Sequence, residues 1–413
     1  MSAPARRVVE VRDGVIGPPP GRPRTVRPRR PEDFPTVARA HVALARRLSS
    51  PLLMGPPLCD ELVALVQHTF TEEESSVAAH LAGTRSRTAA QVARAARRPE
   101  DEVRPILERL AFGKRAIGSH GPEGARRYRL MPLMPGMFEM VLIGAAPDSL
   151  NDWHQRFAEL FEALFNTGYT LDYQRDPAPW VRFLPVGDAL GGHPMALPSD
   201  RLEVILERFD TFAVGNCQCR MSARAVGQGC DRPLAVCTAM GQWARGGIHQ
   251  GYMRSVSREE LLAIKREAEA HGLVSWIMNV ESSRGQISCS CCGCCCKAMR
   301  MVNEFNAPAM IAPPHFMPRF DLAACTACGR CARACPMGAI TVNPQAHALE
   351  HAPMRCIGCG LCALACDRQR AIAMEAVPGY RVPYKSWFST LLHNTPGTLR
   401  TALRVWRDRA AAG

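Results

Sequence analysis

The sequence predicts a multidomain α+β protein, and three observations predict it. Its 413 residues, 47% of them hydrophobic, suffice for two or three domains with separate cores. Helical runs and a hairpin signal are grouped between residues 55 and 135, and mixed helix and strand signals follow through the middle. Near the C-terminus one cysteine-rich loop occurs twice, and each copy runs into a short strand. The expected order is a Pro/Arg-rich flexible arm at 1–50, a helical domain with a terminal hairpin at 51–135, and a cysteine-rich α/β domain at 136–315. The paired-loop module at 316–378 and a basic tail at 379–413 complete it.

The arm carries eight arginines in residues 1–30 against Glu10 and Asp13, and contains Pro18-Pro19-Pro20 and Pro23, a composition expected to stay extended and solvated. The formal charge of +13 is concentrated at the ends, about +6 in residues 1–30 and +5 in residues 381–413. A near-neutral middle argues against reading the pI as a nucleic-acid signature. Arg6-Arg7 suggests a twin-arginine signal, but Glu10, Arg12 and Asp13 interrupt the apolar stretch it needs. Nineteen cysteines with no secretory leader point to a reducing compartment, so a cytoplasmic protein is expected. No window approaches eighteen uninterrupted apolar residues, so no membrane-spanning helix is expected.

Residues 55–135 read as helix, helix, helix, hairpin. Thr71 followed by Glu72, Glu73 and Glu74 is a capped, acid-rich first turn. Thr88 to Arg98 and Pro99 to Ala111 are further helical runs, and Ala116 to Ser119 and Arg126 to Leu130 flank a turn with Gly121, Pro122 and Gly124. The order resembles a winged helix-turn-helix domain, which implies a use in regulation. Against DNA reading, the third helix carries Glu100, Asp101, Glu102 and Glu108 beside Arg104 and Arg109, with Pro105 inside it. Arg85, Arg87, Arg94, Arg97, Arg98, Arg126 and Arg127 could still touch phosphates. A structural or protein-docking use is the expectation, and DNA binding is not.

In the central region, Asp148 to Asn166, Ser199 to Arg208 and a capped run from Ser257-x-x-Glu260 to His271 read as helices, the last closed by Gly272. Trp180 to Pro185, Thr211 to Val214 and Leu273 to Val280 read as strands, giving an α/β or α+β domain. Ten cysteines lie here: Cys217, Cys219, Cys230 and Cys237, then Cys289, Cys291, Cys292, Cys294, Cys295 and Cys296. So many thiols within eight residues around Gly293 exceed what core packing uses, and all ten are candidate metal ligands. Cys289, Cys292 and Cys295 recur at a three-residue interval suited to a further iron–sulfur cluster, completed by Cys217 or Cys219. Cys291, Cys294 and Cys296 would then join Cys230 or Cys237 at a second site, with Arg220 and Arg224 compensating charge. Zinc and a disulfide-exchanging or soft-metal thiolate patch are the competing readings. Cys59 stands alone and reads as a core thiol.

The repeated loops are Cys325-x-x-Cys328-x-x-Cys331-x-x-x-Cys335-Pro336 and Cys356-x-x-Cys359-x-x-Cys362-x-x-x-Cys366, a spacing that implies two cubane iron–sulfur clusters. Three thiolates two residues apart can wrap one cube, while the fourth points away from it. Strands are expected at Ala339 to Val342 and Ala371 to Met374. Zinc ribbons lack the third and fourth cysteine at these offsets. The module resembles bacterial two-cluster ferredoxins. That resemblance implies Cys325, Cys328, Cys331 and Cys366 on one [4Fe–4S] cluster and Cys356, Cys359, Cys362 and Cys335 on the other. Asp367 departs from the family's proline, found in the first copy as Pro336, and so puts the exit geometry of the second loop in question.

In the tail, Leu399, Leu403 and Trp406 share a helical face beside Arg400, Arg404 and Arg407, a basic amphipathic pattern. Such a helix can lie on an anionic membrane, dock on a partner, or pack back on its own protein. Across residues 55–375 the combination of the helical front end, the NCQCR and SCSCCGCCC stretches and the C-terminal module resembles multidomain 4Fe-4S binding proteins of bacteria and archaea whose reaction is not established. The leading expectation is an electron-transfer protein relaying single electrons through two [4Fe–4S] clusters and at least one further central iron–sulfur centre to a partner oxidoreductase. The slightly positive balance of residues 319–378 suits an acidic redox partner. The alternatives are an iron–sulfur redox-sensing transcription regulator and an oxidoreductase acting at the central cysteines. No GxGxxG turn, Walker A loop or CxxCH appears to supply nucleotide or haem chemistry.

Overall fold

The computed structural model describes residues 6–145, 150–174, 179–282 and 284–411. The chain divides into two compact units, residues 1–22 with 177–397 and residues 23–176 with 398–413.

The smaller unit is built on helices whose starts are written in the sequence. Thr71 and Thr88 each accept from the backbone three residues on, while Glu74 and Gln91 reach back, so both make complete capping boxes for Glu72–Ala78 and Ala89–Ala96. Glu100–Glu108 follows and continues through Pro105. The strands Arg87–Thr88, Arg127–Arg129 and Gly118–His120 form a three-stranded antiparallel sheet in that spatial order. Asp60–Thr69 packs on Asp152–Asn166, with His68 stacked on Trp153 at 5.2 Å. The expected helix 148–166 thus begins at Asp152; residues 148 and 149 lie outside the described residues. Cys59 is buried and unpaired, and burial pushes its thiol up to about 12.

The larger unit centres on a six-stranded sheet, in spatial order Val181–Phe183, Val274–Met278, Gly285–Cys291, Cys237–Gly241, Phe212–Gly215 and Arg254–Val256. Every neighbouring pair is antiparallel, which makes this domain α+β. The alternation of helix and strand signals that suggested α/β arises because Gln218–Ala225 lies between two antiparallel neighbours, Phe212–Gly215 and Cys237–Gly241, and Arg258–Ala270 crosses from the edge strand Arg254–Val256 to Val274–Met278. Ser257 caps the latter, as its capping signal indicates.

The paired-loop module extends the same unit. Phe316–Phe320 pairs with Ile372–Ala376, and Ile340–Asn343 pairs with Ala348–His351, both antiparallel. The short helices Arg330–Ala334 and Leu361–Leu364 sit within the two loops.

Residues 6–22 differ from the solvated arm expected of their composition. Glu10–Arg12 and Val15–Gly17 form a hairpin through Asp13 and Gly14, both at positive φ, the turn chemistry of a tight hairpin. Val15–Gly17 then adds to the module's sheet, with Ile16 opposite Val342. Ile16 is 3% exposed and shares a core with Cys331, Ala332, Ile340 and Cys362. Further along, Arg39–Leu48 is helical. Apolar burial by Val8, Ile16 and their neighbours outweighs the polarity of the flanking residues.

The tail forms one helix, Trp387–Ala411, and no helix among the described residues is long and apolar enough to cross a membrane. Arg409 anchors its end within the smaller unit, donating to the carbonyls of Ser49 at 2.8 Å and Gly55 at 2.8 Å and to Asp172 Oδ2 at 3.3 Å.

Candidate metal centres

The eight cysteines of the paired loops line two hollows. One, of about 330 Å³, is bordered by Cys335, Cys356, Cys359 and Cys362. The other, of about 390 Å³, is bordered by Cys325, Cys328, Cys331 and Cys366. The fourth cysteine of each loop therefore faces the hollow of the other loop. Backbone amides aim at the sulfurs: Ala327 N–H donates to Cys325 Sγ at 3.4 Å, Ala339 to Cys335 Sγ at 3.3 Å and Gly358 to Cys356 Sγ at 3.4 Å. Soft donors around an open hollow, with N–H groups directed at the thiolates, fit a cubane cluster. Asp367 ties the two loops together, accepting from Arg330 at 2.6 Å where the first copy has proline.

The central thiols separate into two groups, and the three-residue register does not organise them. Gly285–Cys291 is a strand of period two, so Cys289 and Cys291 share a face. Cys237, at the start of the adjacent strand, lies 3.2 Å from Cys289. Electrostatic coupling links Cys289 to Cys291, Cys291 to Cys296, and Cys296 to Cys219. These five sulfurs come from two strands, the helix Gln218–Ala225 and the residue preceding the helix Lys297–Phe305.

After Cys291 the chain turns, the Cys296 N–H bonding to the Cys292 carbonyl at 3.1 Å, and the remaining cysteines face elsewhere. Cys292, Cys294 and Cys295 meet Cys230, and all four sulfurs lie within 4.8 Å of one another. Cys289 thus joins neither Cys292 nor Cys295, and Cys294 parts from Cys291 and Cys296. Cys217 is buried and packs beside the quartet with Ala223 and Val236. Hydrogen bonding among the four, that with Cys292 foremost, holds the Cys230 thiol well below its ordinary range, and the bond to Cys230 raises those of Cys294 and Cys295. Such a set titrates as one unit.

Charged side chains surround these groups. Arg220, fully buried, donates to the Ser290 carbonyl at 3.2 Å and to Cys292 Sγ at 3.7 Å. Arg232 donates to the His271 carbonyl at 2.9 Å and to Cys294 Sγ at 3.7 Å. Arg224 fixes the Cys230 loop through the carbonyls of Cys230 and Arg232, both at 2.9 Å. Sequence reasoning missed two participants. Arg232 gave no signal. Lys265 lies on the helix face buried by Leu261 and Ala268, a position where a lysine is out of place. Its Nζ donates to the Ser288 carbonyl at 2.8 Å, Ser288 Oγ at 2.9 Å and Ser290 Oγ at 3.1 Å, and burial pushes it down to about 8.

The module and the five-thiol group share one apolar core. Cys291, Cys296 and Cys359 are buried in it with Met299 and Met337, and Cys289, Cys335 and Cys356 pack against it. Asn303 spans the junction, donating to the carbonyls of Gly293 at 3.1 Å and Pro336 at 2.9 Å.

Residues 317–367 match a family model described as a 4Fe-4S dicluster domain. No curated protein and no solved structure matches the chain. The matched domain supports an iron–sulfur protein, and the central cysteine cluster is a further group that could hold metal.

Proposed function

We propose that the protein is a one-electron carrier serving a partner oxidoreductase, with two [4Fe–4S] clusters in the paired loops and a further iron–sulfur centre on the five-thiol group. Cys325, Cys328, Cys331 and Cys366 would hold one cluster, and Cys335, Cys356, Cys359 and Cys362 the other. A bound [4Fe–4S] cluster supplies reversible one-electron chemistry at a potential set by its surroundings. The observation that carries the reading is the common core of the Cys335 hollow and the Cys289–Cys291–Cys296 group, which removes water from the space between two thiol-lined sites. At the other hollow Cys328 is exposed, and Arg333 and the Asp367-paired Arg330 lie beside it, a slightly basic port suited to an acidic redox protein. Anaerobic purification with iron and sulfide counts, followed by a reductive titration read by electron paramagnetic resonance, tests this. Three interacting iron–sulfur signals are expected in the wild type and two after Cys291→Ser. Two signals in both forms would remove the central centre.

The front end supports a scaffold use of a winged-helix-like domain. Acidic side chains engage part of its basic set: Arg98 with Glu73 and Glu102, Arg104 with Glu100, Arg109 with Glu74 and Arg126 with Glu108. The third helix thus commits Arg104 and Arg109 to carboxylates of its own domain rather than to phosphates.

The tail helix supports attachment to an anionic membrane surface. Its buried positions include Thr390, Asn394, Thr401, Ala402 and Val405, while Phe388 (76% exposed), Leu391, Leu392, Leu399, Leu403 and Trp406 (62% exposed) face outward. Exposed Arg400 and Arg407 lie to one side of that apolar stripe. Co-sedimentation of the full chain with phosphatidylserine-containing vesicles, lost with phosphatidylcholine vesicles and in a Leu403→Glu/Trp406→Glu variant, is the expected result. Equal recovery without lipid would reject it.

A further inference from the structure

We infer that Cys230, Cys292, Cys294 and Cys295 hold a single tetrahedral divalent metal ion, zinc or ferrous iron, as a centre separate from every iron–sulfur cluster of this chain. Scale carries the inference. Four thiolates at about 2.3 Å from one ion at tetrahedral corners stand roughly 3.8 Å apart. In the quartet, Cys230 lies 3.8 Å from Cys292 and 3.8 Å from Cys295, and Cys294 lies 3.7 Å from Cys295. In a cubane each thiolate caps its own iron at a separate corner, so its four sulfurs stand further apart than four that share one ion.

The same molecule provides the control. The eight sulfurs of the dicluster loops line two hollows, four to each. Among the described residues, the Cys230 quartet is the one set of three or more such ligands that closes to within 4.8 Å. The chain thus makes both arrangements, wide around a hollow and tight around a point.

Charge agrees with this. A divalent ion with four thiolates carries two net negative charges, and two guanidiniums, those of Arg220 and Arg232, donate to the sulfurs of Cys292 and Cys294. Loading the site releases to solvent whatever protons the four thiols still hold, with no change of oxidation state. Three ligands come from one turn and Cys230 from a loop sixty residues earlier in the chain, so the ion ties that loop to the end of the strand Gly285–Cys291. Arg224 holds the same loop from its other side.

The inference stands apart from the relay, because loss of the central iron–sulfur centre would leave the quartet's ion in place. The test is a count of zinc, iron and acid-labile sulfide per full-length chain, purified anaerobically, for the wild type, Cys230→Ser and Cys291→Ser. Loss of about one zinc in Cys230→Ser, with sulfide unchanged and with that zinc retained in Cys291→Ser, is expected. Loss of one iron with sulfide unchanged also supports the single-ion site and assigns it iron. Loss of sulfide together with several irons in Cys230→Ser alone overturns it, as does an unchanged metal count. Should Cys230→Ser fail to fold, wild-type protein from cobalt-supplemented, zinc-depleted cells decides. Sulfur-to-cobalt charge transfer with the intense visible bands of a tetrahedral four-thiolate ion supports the site, and their absence overturns it.

Discussion

The paired loops at 325–366 and the run at 289–296 are both dense in cysteine, yet one sets its sulfurs around open hollows and the other packs them against each other. The difference lies in the backbone. Each loop copy holds two left-handed residues, Ala327 and Gly329 in the first, Gly358 and Gly360 in the second, and these turn the chain around a hollow while its amides point inward. In the run, a strand carries Cys289 and Cys291 to one face before a tight turn sends Cys292, Cys294 and Cys295 to another. Cysteine density alone therefore does not define a centre; the local backbone decides how many atoms the sulfurs enclose.

The comparison is broken most decisively by exchanging ligands across the loops. Cys366→Ser is expected to empty the Cys325 hollow, and Cys335→Ser the Cys356 hollow, each costing about four irons and four sulfides by chemical analysis. Loss from the loop that carries the mutation would contradict the crossed arrangement. Arg220→Leu should act on the tight centre alone. Removing a buried charge from its thiolate partner costs about 3–5 kcal/mol, so denaturant unfolding should show a lowered midpoint, with dicluster iron retained.

The loops were legible because each copy contributes its own three closely spaced ligands and the repeat marks the fourth. The central groups were not, because Cys230 and Cys237 arrive from loops and strands far along the chain, and a three-residue register cannot see where a period-two strand gives way to a turn. The capping boxes at Thr71 and Thr88 were legible for the same reason as the loops, being local. The tail's periodicity revealed an apolar stripe at Leu399, Leu403 and Trp406 but not that it faces outward, since Thr390, Asn394 and Thr401 look like ordinary surface residues. Asp13-Gly14 was a readable hairpin signal, hidden by the arginines and prolines around it.

Two smaller effects sharpen the contrast at the junction of the regions. A Cβ at Gly293 would lie 2.0 Å from the Pro336 carbonyl oxygen, a backbone atom that cannot step aside. Gly293→Ala should therefore destabilise by about 1–3 kcal/mol, seen as a lower thermal midpoint with the dicluster spectrum intact at low temperature. Smallest is Asp367→Pro, which restores the proline of the first copy and removes an exposed pair with Arg330. Little or no change in the denaturant midpoint is expected; a large loss of bound iron would show that Asp367 shapes the second loop.

The pairing of Ile16 with Val342 sets a timetable for synthesis. Roughly 330 residues separate the two partners, which at ~5–20 residues per second is about 15–65 s during which the nascent hairpin leaves the ribosome with no strand to join. An unpaired edge of that kind invites intermolecular pairing, and Arg6, Arg7 and Arg12 with Pro18-Pro19-Pro20 surround it with the charges and prolines that discourage such contacts. The composition that makes this segment look disordered is what lets it wait.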